Sequence, residues 1–184
     1  YSIGMQFFIA GAITAVFGLM QFVASPVLGE LSDIYGRKKL LTLCVGILAV
    51  SQFLFGFGIE IASIPLLFLA RSIAGLAAAN FAIAQASIAD VTTPENRAKN
   101  FGLIGGAFGL GFIIGPLLGG WIAGISGNPA FPFWTAGALG VVNVGFISLF
   151  LPETHFKKKL ASTFTMAKAA TATPPPSSAH PAST

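Results

Sequence analysis

The sequence predicts an all-α membrane protein with five transmembrane helices, on three grounds. Charged residues make up 9% of the chain and hydrophobic ones 54%, with a mean hydropathy of +0.82; a water-soluble domain wants about a quarter of its residues charged. Five apolar runs, at 3–27, 40–58, 64–88, 100–124 and 131–151, come close to or exceed the ~20 residues that cross a hydrocarbon core. The basic residues cluster at alternate run ends: Arg37, Lys38 and Lys39 after the first run, Arg97 and Lys99 after the third, Lys157, Lys158 and Lys159 after the fifth.

Eight of the ten Lys and Arg residues thus share one side, which the positive-inside rule makes cytoplasmic. That places the 29–39 and 91–99 connections and the C-terminal tail in the cytoplasm. The opposite connections carry Glu60 as their only charge, and Trp121 and Trp134 flank Gly127-Asn128-Pro129 there, as interfacial indoles do. A first run that enters from outside needs a helix before it, so the expected unit is a six-helix bundle without its first helix. The start at Tyr1, with no Met and no secretory signal, reads the same way.

The first run stops at Ser25-Pro26, where proline interrupts the helical hydrogen-bond ladder, and the chain is expected to reverse near Gly29. The connection that follows, Gly29 to Lys39, packs Glu30, Asp33, Arg37, Lys38 and Lys39 around the phenol of Tyr35, bracketed by Gly29 and Gly36. Glycine at such brackets allows a tight reversal. The second run carries the lone Cys44, which reads as a small apolar residue with no disulfide or metal partner.

The third run opens near Pro65, tolerated in a first turn, and holds Arg71 about seven residues deep, roughly 10 Å along the axis. A charge there faces a cavity or partner, or else snorkels to the surface; a functional role is the favoured reading. At 100° per residue Gln85 falls within about 40° of Arg71, making it the expected companion on a polar path, whereas Asn80 lies opposite. In the first run Gln6 and Gln21 lie within about 60° of each other, a second polar stripe or a pair of interhelical staples. The run leaves the membrane at Asp90, and Thr92-Thr93-Pro94-Glu95 reads as a new helix start, with a Thr cap, an early Pro and an acid at the positive dipole end.

The fourth run is built on glycine. Gly111, Gly115 and Gly119 recur at four-residue steps beside Gly120, so one face is smooth enough for a neighbouring helix to approach closely, and Pro116 introduces a bend. After the fifth run the composition changes, and residues 155–184, rich in Ala, Ser, Thr and Pro, read as a disordered cytoplasmic linker or tail.

Several function classes are excluded. A pI near 9.5 would suggest nucleic acid in a soluble protein, but here topology accounts for the basic groups, so no nucleic-acid partner is expected. His155 and His180 sit outside the apolar runs with no nucleophile, base or ligand set around them, so neither an enzyme nor a metal or cofactor site is expected.

Three stretches together carry a resemblance. Gly29-Glu30-Leu31-Ser32-Asp33-Ile34-Tyr35-Gly36-Arg37-Lys38 is similar to the G-x-L-x-D-x-x-G-R-[RK] loop of the major facilitator superfamily, between its second and third helices. Arg71-Ser72-Ile73-Ala74-Gly75 resembles that superfamily's R-x-x-x-G signature in helix four. Gly111-Phe112-Ile113-Ile114-Gly115-Pro116-Leu117-Leu118-Gly119-Gly120 resembles its helix-five antiporter signature. The resemblance covers residues 1–154 as helices two to six of the N-terminal bundle. Leu19-Met20-Gln21-Phe22, Ile88-Ala89-Asp90, Arg97-Ala98-Lys99-Asn100-Phe101-Gly102 and Leu151-Pro152-Glu153-Thr154 bring it closest to the tetracycline-resistance type of drug/proton antiporter.

The resemblance implies proton-coupled efflux of a small amphipathic drug or metabolite by alternating access, from the bilayer of an inner membrane. Its partners would be that substrate, a proton, the missing first helix and a second six-helix half. Gly29, Asp33, Gly36, Arg37 and Asp90 would form a conformational latch, Arg71 would assist proton coupling, and Gln21 and Gln85 would line the substrate path. One departure stands out: the mid-membrane acid of several tetracycline pumps falls near Ser51, which cannot titrate, so a coupling carboxylate would have to come from outside this chain. A facilitator-type sugar or metabolite porter, or a non-transporting truncated half, are the competing readings.

Overall fold

The computed structural model describes residues 2–151, and within them everything except the side chains of Asp90 and Val91. The tail and the Pro152-Glu153-Thr154 stretch therefore lie outside the described residues. Six α-helices follow one another: α1 (Ile3–Tyr35), α2 (Arg37–Glu60), α3 (Ile64–Ala78), α4 (Asn80–Val91), α5 (Arg97–Ser126) and α6 (Phe131–Phe150), with a 3-10 turn at Pro94–Asn96 before α5. Taken through its break, Ile64–Ala89 counts as one span, so five helices are long and apolar enough to cross a membrane.

The first run does not end at its proline. Helix α1 continues through Pro26 to Tyr35, and the reversal comes at Gly36, whose φ of 98° favours glycine over any L side chain. Proline removes only its own N–H from the ladder, and membrane helices tolerate that loss. The predicted charged loop is thus two helix ends meeting at a one-residue elbow. Gly29 lies inside α1 and turns nothing.

Helix α2 is the centre of the bundle. It packs along α3 on one side and α6 on the other, while α1 packs mainly on α3. Glycines and alanines set the distances. A methyl group at Gly140 would stand 2.8 Å from Ala49 Cβ, and one at Gly75 would stand 2.5 Å from the Phe17 carbonyl oxygen, so α6–α2 and α3–α1 meet nearly backbone to backbone. Two apolar clusters fill the bundle. One, around Leu40, Leu41, Cys44, Val45, Ala77 and Ile83, lies nearer the Gly36 end. The other joins Ile13, Phe55 and Ala70.

Helix α5 is different. None of its residues is buried, and nothing lies within 4 Å of a methyl group placed at Gly111, Gly115, Gly119 or Gly120. The smooth face expected from the sequence is present, but among the described residues no helix uses it. Pro116 sits within an unbroken α5.

The far ends are closed by local geometry. Ala62 adopts a left-handed φ of 50°, and the Ser63 N–H donates to the Gly58 carbonyl at 3.0 Å, which satisfies the end of α2. Gly127, also left-handed, ends α5. Asn128 Nδ2 donates to Glu60 Oε1 at 3.2 Å and so ties the α5–α6 turn to the α2–α3 corner.

Candidate functional site

Three groups of residues converge on chemistry. The first is the elbow. Asp33 in the last turn of α1 and Arg37 at the start of α2 straddle Gly36, and Arg37 Nη2 lies 3.1 Å from Asp33 Oδ1. The two are unequal: the Arg37 side chain is 11% exposed and that of Asp33 63%. A buried guanidinium is thus tied to a water-facing carboxylate. Beside it, Lys38 Nζ donates to the Ser148 carbonyl at 2.8 Å, covering an otherwise open acceptor near the C-terminus of α6. Asp90, the expected third member of the latch, belongs to α4, and its side chain lies outside the described residues.

The second group surrounds the break between α3 and α4. The Ala82 N–H reaches back to the Ala79 carbonyl at 3.1 Å, a 3-10 step. Ala78 thereby gives up its usual helical donor. Gln21 Nε2, from α1, donates to that Ala78 carbonyl at 3.4 Å. Gln21 is therefore an interhelical staple on the break, one of the two roles its sequence position allowed. The same break undoes the helical phase used for Gln85. Gln85 is half-buried on α4, and it lines neither of the two clefts that contain Arg71.

The third group is Arg71 itself. Its guanidinium lies 4.3 Å above the Phe55 ring, with the Phe17 and Phe133 rings 5.9 and 5.8 Å away. Rings from α1, α2 and α6 thus surround it. Two clefts meet at this residue. One, of about 500 Å³, is walled by α1, α2 and α3 and carries Gln6, Thr14 and Arg71 as its polar groups. The other, of about 930 Å³, lies against α5 and is lined by Gln52, Arg71, Phe81, Phe108, Gly111 and Pro116 among others. Both are mostly apolar with a few polar contacts, the composition of small-molecule sites.

Sequence reasoning missed Gln52 and the three rings. Gln52 is a single amide in an apolar run, with no partner at helical spacing to mark it. The rings are three of 18 phenylalanines, brought together from three helices. Ser51, next to Gln52, is buried and donates to the Leu48 carbonyl at 2.7 Å, so its hydroxyl is satisfied within its own helix. Among the described residues no cluster of His, Cys, Asp and Glu could hold a metal ion.

Comparison with known proteins gives a consistent set of similarities. The sequence profile described as Major Facilitator Superfamily matches residues 1–178. The tetracycline resistance protein of class H from Pasteurella multocida is 36% identical over 155 residues, covering 84% of this chain and 38% of that protein. The class B tetracycline resistance protein of Escherichia coli is 35% identical, covering 78% of this chain and 35% of that protein. Multidrug resistance protein 1 of Bacillus subtilis (strain 168) is 35% identical, covering 79% of this chain and 37% of that protein. The chain thus spans less than two fifths of the length of each of these relatives.

Proposed function

Because this chain belongs to the Major Facilitator Superfamily, a family of multi-pass membrane transporters and not of enzymes, we propose that it serves proton-coupled efflux of a small amphipathic drug or metabolite by alternating access. Resistance proteins among its relatives support export over import. The transported molecule would pass the Arg71 clefts, with Gln52 and Gln6 as hydrogen-bonding groups and Gln21 steadying the wall. Arg71 would supply the fixed positive charge against which a coupling carboxylate from outside this chain titrates. The Gly36 end would face the cytoplasm of a bacterial inner membrane, as its basic residues favour.

The observation that carries this reading is the Asp33–Arg37 pair across the Gly36 elbow. Alternating access needs contacts that exist in one state and break in the other, and a charge pair at the membrane edge, one member buried and one wet, has that bistable character. Asp90 is placed in the same latch by this reading. Gly111, Gly115 and Gly119, open along α5, would be the surface against which the moving half slides. The test is Asp33→Asn, which keeps the size of the side chain and removes the charge. The variant should insert into membranes and keep its helical content, yet lose drug export from loaded cells. Full export by Asp33→Asn would remove the latch.

A further inference from the structure

Between residues 61 and 89 Arg71 is the only Asp, Glu, Lys or Arg, and among the described residues no carboxylate or hydrogen-bond acceptor pairs with it. A guanidinium half out of water and unpaired ordinarily swings to the surface along its flexible stem. Here it stays between two clefts, 4.3 Å from the Phe55 centroid. The ring's negative face attracts the cation, and desolvation strengthens that attraction.

Phe55 is itself immobilised. It is 8% exposed, clusters with Ile13 and Ala70, and stacks at 4.6 Å on Phe133 with a 48° tilt. Phe17 and Phe133 lie about 1.5 Å further from the guanidinium than Phe55 does, so the closest contact is also the best anchored. Among the described residues no hydrogen bond uses an Arg71 N–H, so the ring contact leaves its donors to whatever can reach them. A carboxylate in the same place would have consumed them.

We propose that Phe55 is a positioning residue: by cation–π contact it fixes Arg71 at the wall shared by the two clefts and leaves its N–H donors available to whatever enters either one. Its use in transport rests on the efflux reading above; the holding of Arg71 does not.

The test replaces Phe55 in the intact protein, in lipid nanodiscs, with mono-, di- and trifluorinated phenylalanine, which keeps the ring's shape while draining its negative face. Phe55→Leu and Phe55→Trp complete the series. The reading is the rate at which phenylglyoxal modifies Arg71, resolved by mass spectrometry of its peptide, with exposed Arg97 as the internal reference. The rate should climb stepwise with fluorine content and reach roughly five- to thirty-fold above native for the trifluorinated ring, with Trp at or below the native rate. A flat series overturns the proposal, because a ring that merely packs is indifferent to fluorination. Should Phe55→Leu fail to fold, the fluorinated series still decides. The same variants are then assayed for export, where activity should fall in the order that Arg71 reactivity rises. A rising series in a protein that exports nothing would sink the efflux reading and leave the positioning role standing; a flat series in an active exporter would do the reverse.

Discussion

Helices α1 and α3 approach closely at Gly75, and replacing that glycine by alanine should separate the two helices measurably. The new methyl group would sit 2.5 Å from the Phe17 carbonyl oxygen and 2.8 Å from Met20 Cβ. Neither obstacle is the far end of a flexible side chain, so α1 must retreat, by roughly 1 Å, to restore carbon contacts near their ~3.5 Å optimum. A gap of that size forfeits about a quarter to a half of the dispersion energy along the seam. Overpacking of this kind costs about 1–3 kcal/mol, and alanine's better helix propensity returns up to ~1 kcal/mol of that. The net expectation is a loss of about 1–2 kcal/mol, which for a protein of this size lowers the melting temperature by roughly 2–8 °C.

The chain carries its own reporter. Its single cysteine, Cys44, is 2% exposed, so a thiol-reactive dye reads unfolding as Cys44 emerges. Gly145→Ala is the matched control: a methyl group there meets nothing within 4 Å, and its melting temperature should equal or slightly exceed native. A Gly75→Ala protein that melts with the Gly145→Ala control would refute the backbone-to-backbone seam.

Two further perturbations probe other contacts. Gln21→Leu removes the donor to the Ala78 carbonyl and should cost about 0.6–1.7 kcal/mol in the same thermal assay; an unchanged melting temperature would return Gln21 to a purely substrate-lining role. Asn128→Asp sets a carboxylate about 3.2 Å from Glu60, the distance of the bond it replaces. Like charges so close raise one carboxyl's pKa, so the pair holds when it shares a proton in acid and opens as pH rises through the raised value. Distances from spin labels on the α2–α3 corner and the α5–α6 turn should therefore lengthen with rising pH in the variant and stay constant in the native protein; pH-independent distances in the variant would contradict the tie.

Much of this architecture is legible in the sequence because bilayer thickness and charge placement are strong constraints. All five spans fall where the apolar runs lie. Hydropathy measures the membrane, however, and not the helix. α1 outruns its apolar stretch to Tyr35, since the charged residues after Pro26 continue the helix. The break at Ala79 carries no Gly or Pro to announce it, and without it the angle computed from Arg71 to Gln85 loses its meaning. Arg71 is visible in the sequence as a charge inside a span, with Gln85 as its expected companion. Its ring partners are not, because an aromatic cage is assembled from positions such as Phe17, Phe55 and Phe133 that share no local pattern. The motif residues at the elbow needed no tertiary knowledge, as Asp33 and Arg37 are only four positions apart in the chain.

The most direct measurement of the central claim is drug uptake into inverted membrane vesicles driven by an imposed pH gradient, with the native protein and Asp33→Asn compared side by side at equal expression. The account predicts uptake by the native protein that collapses when the gradient is dissipated, and none above background from Asp33→Asn. Uptake that ignores the gradient, or that Asp33→Asn performs at the native rate, would contradict it.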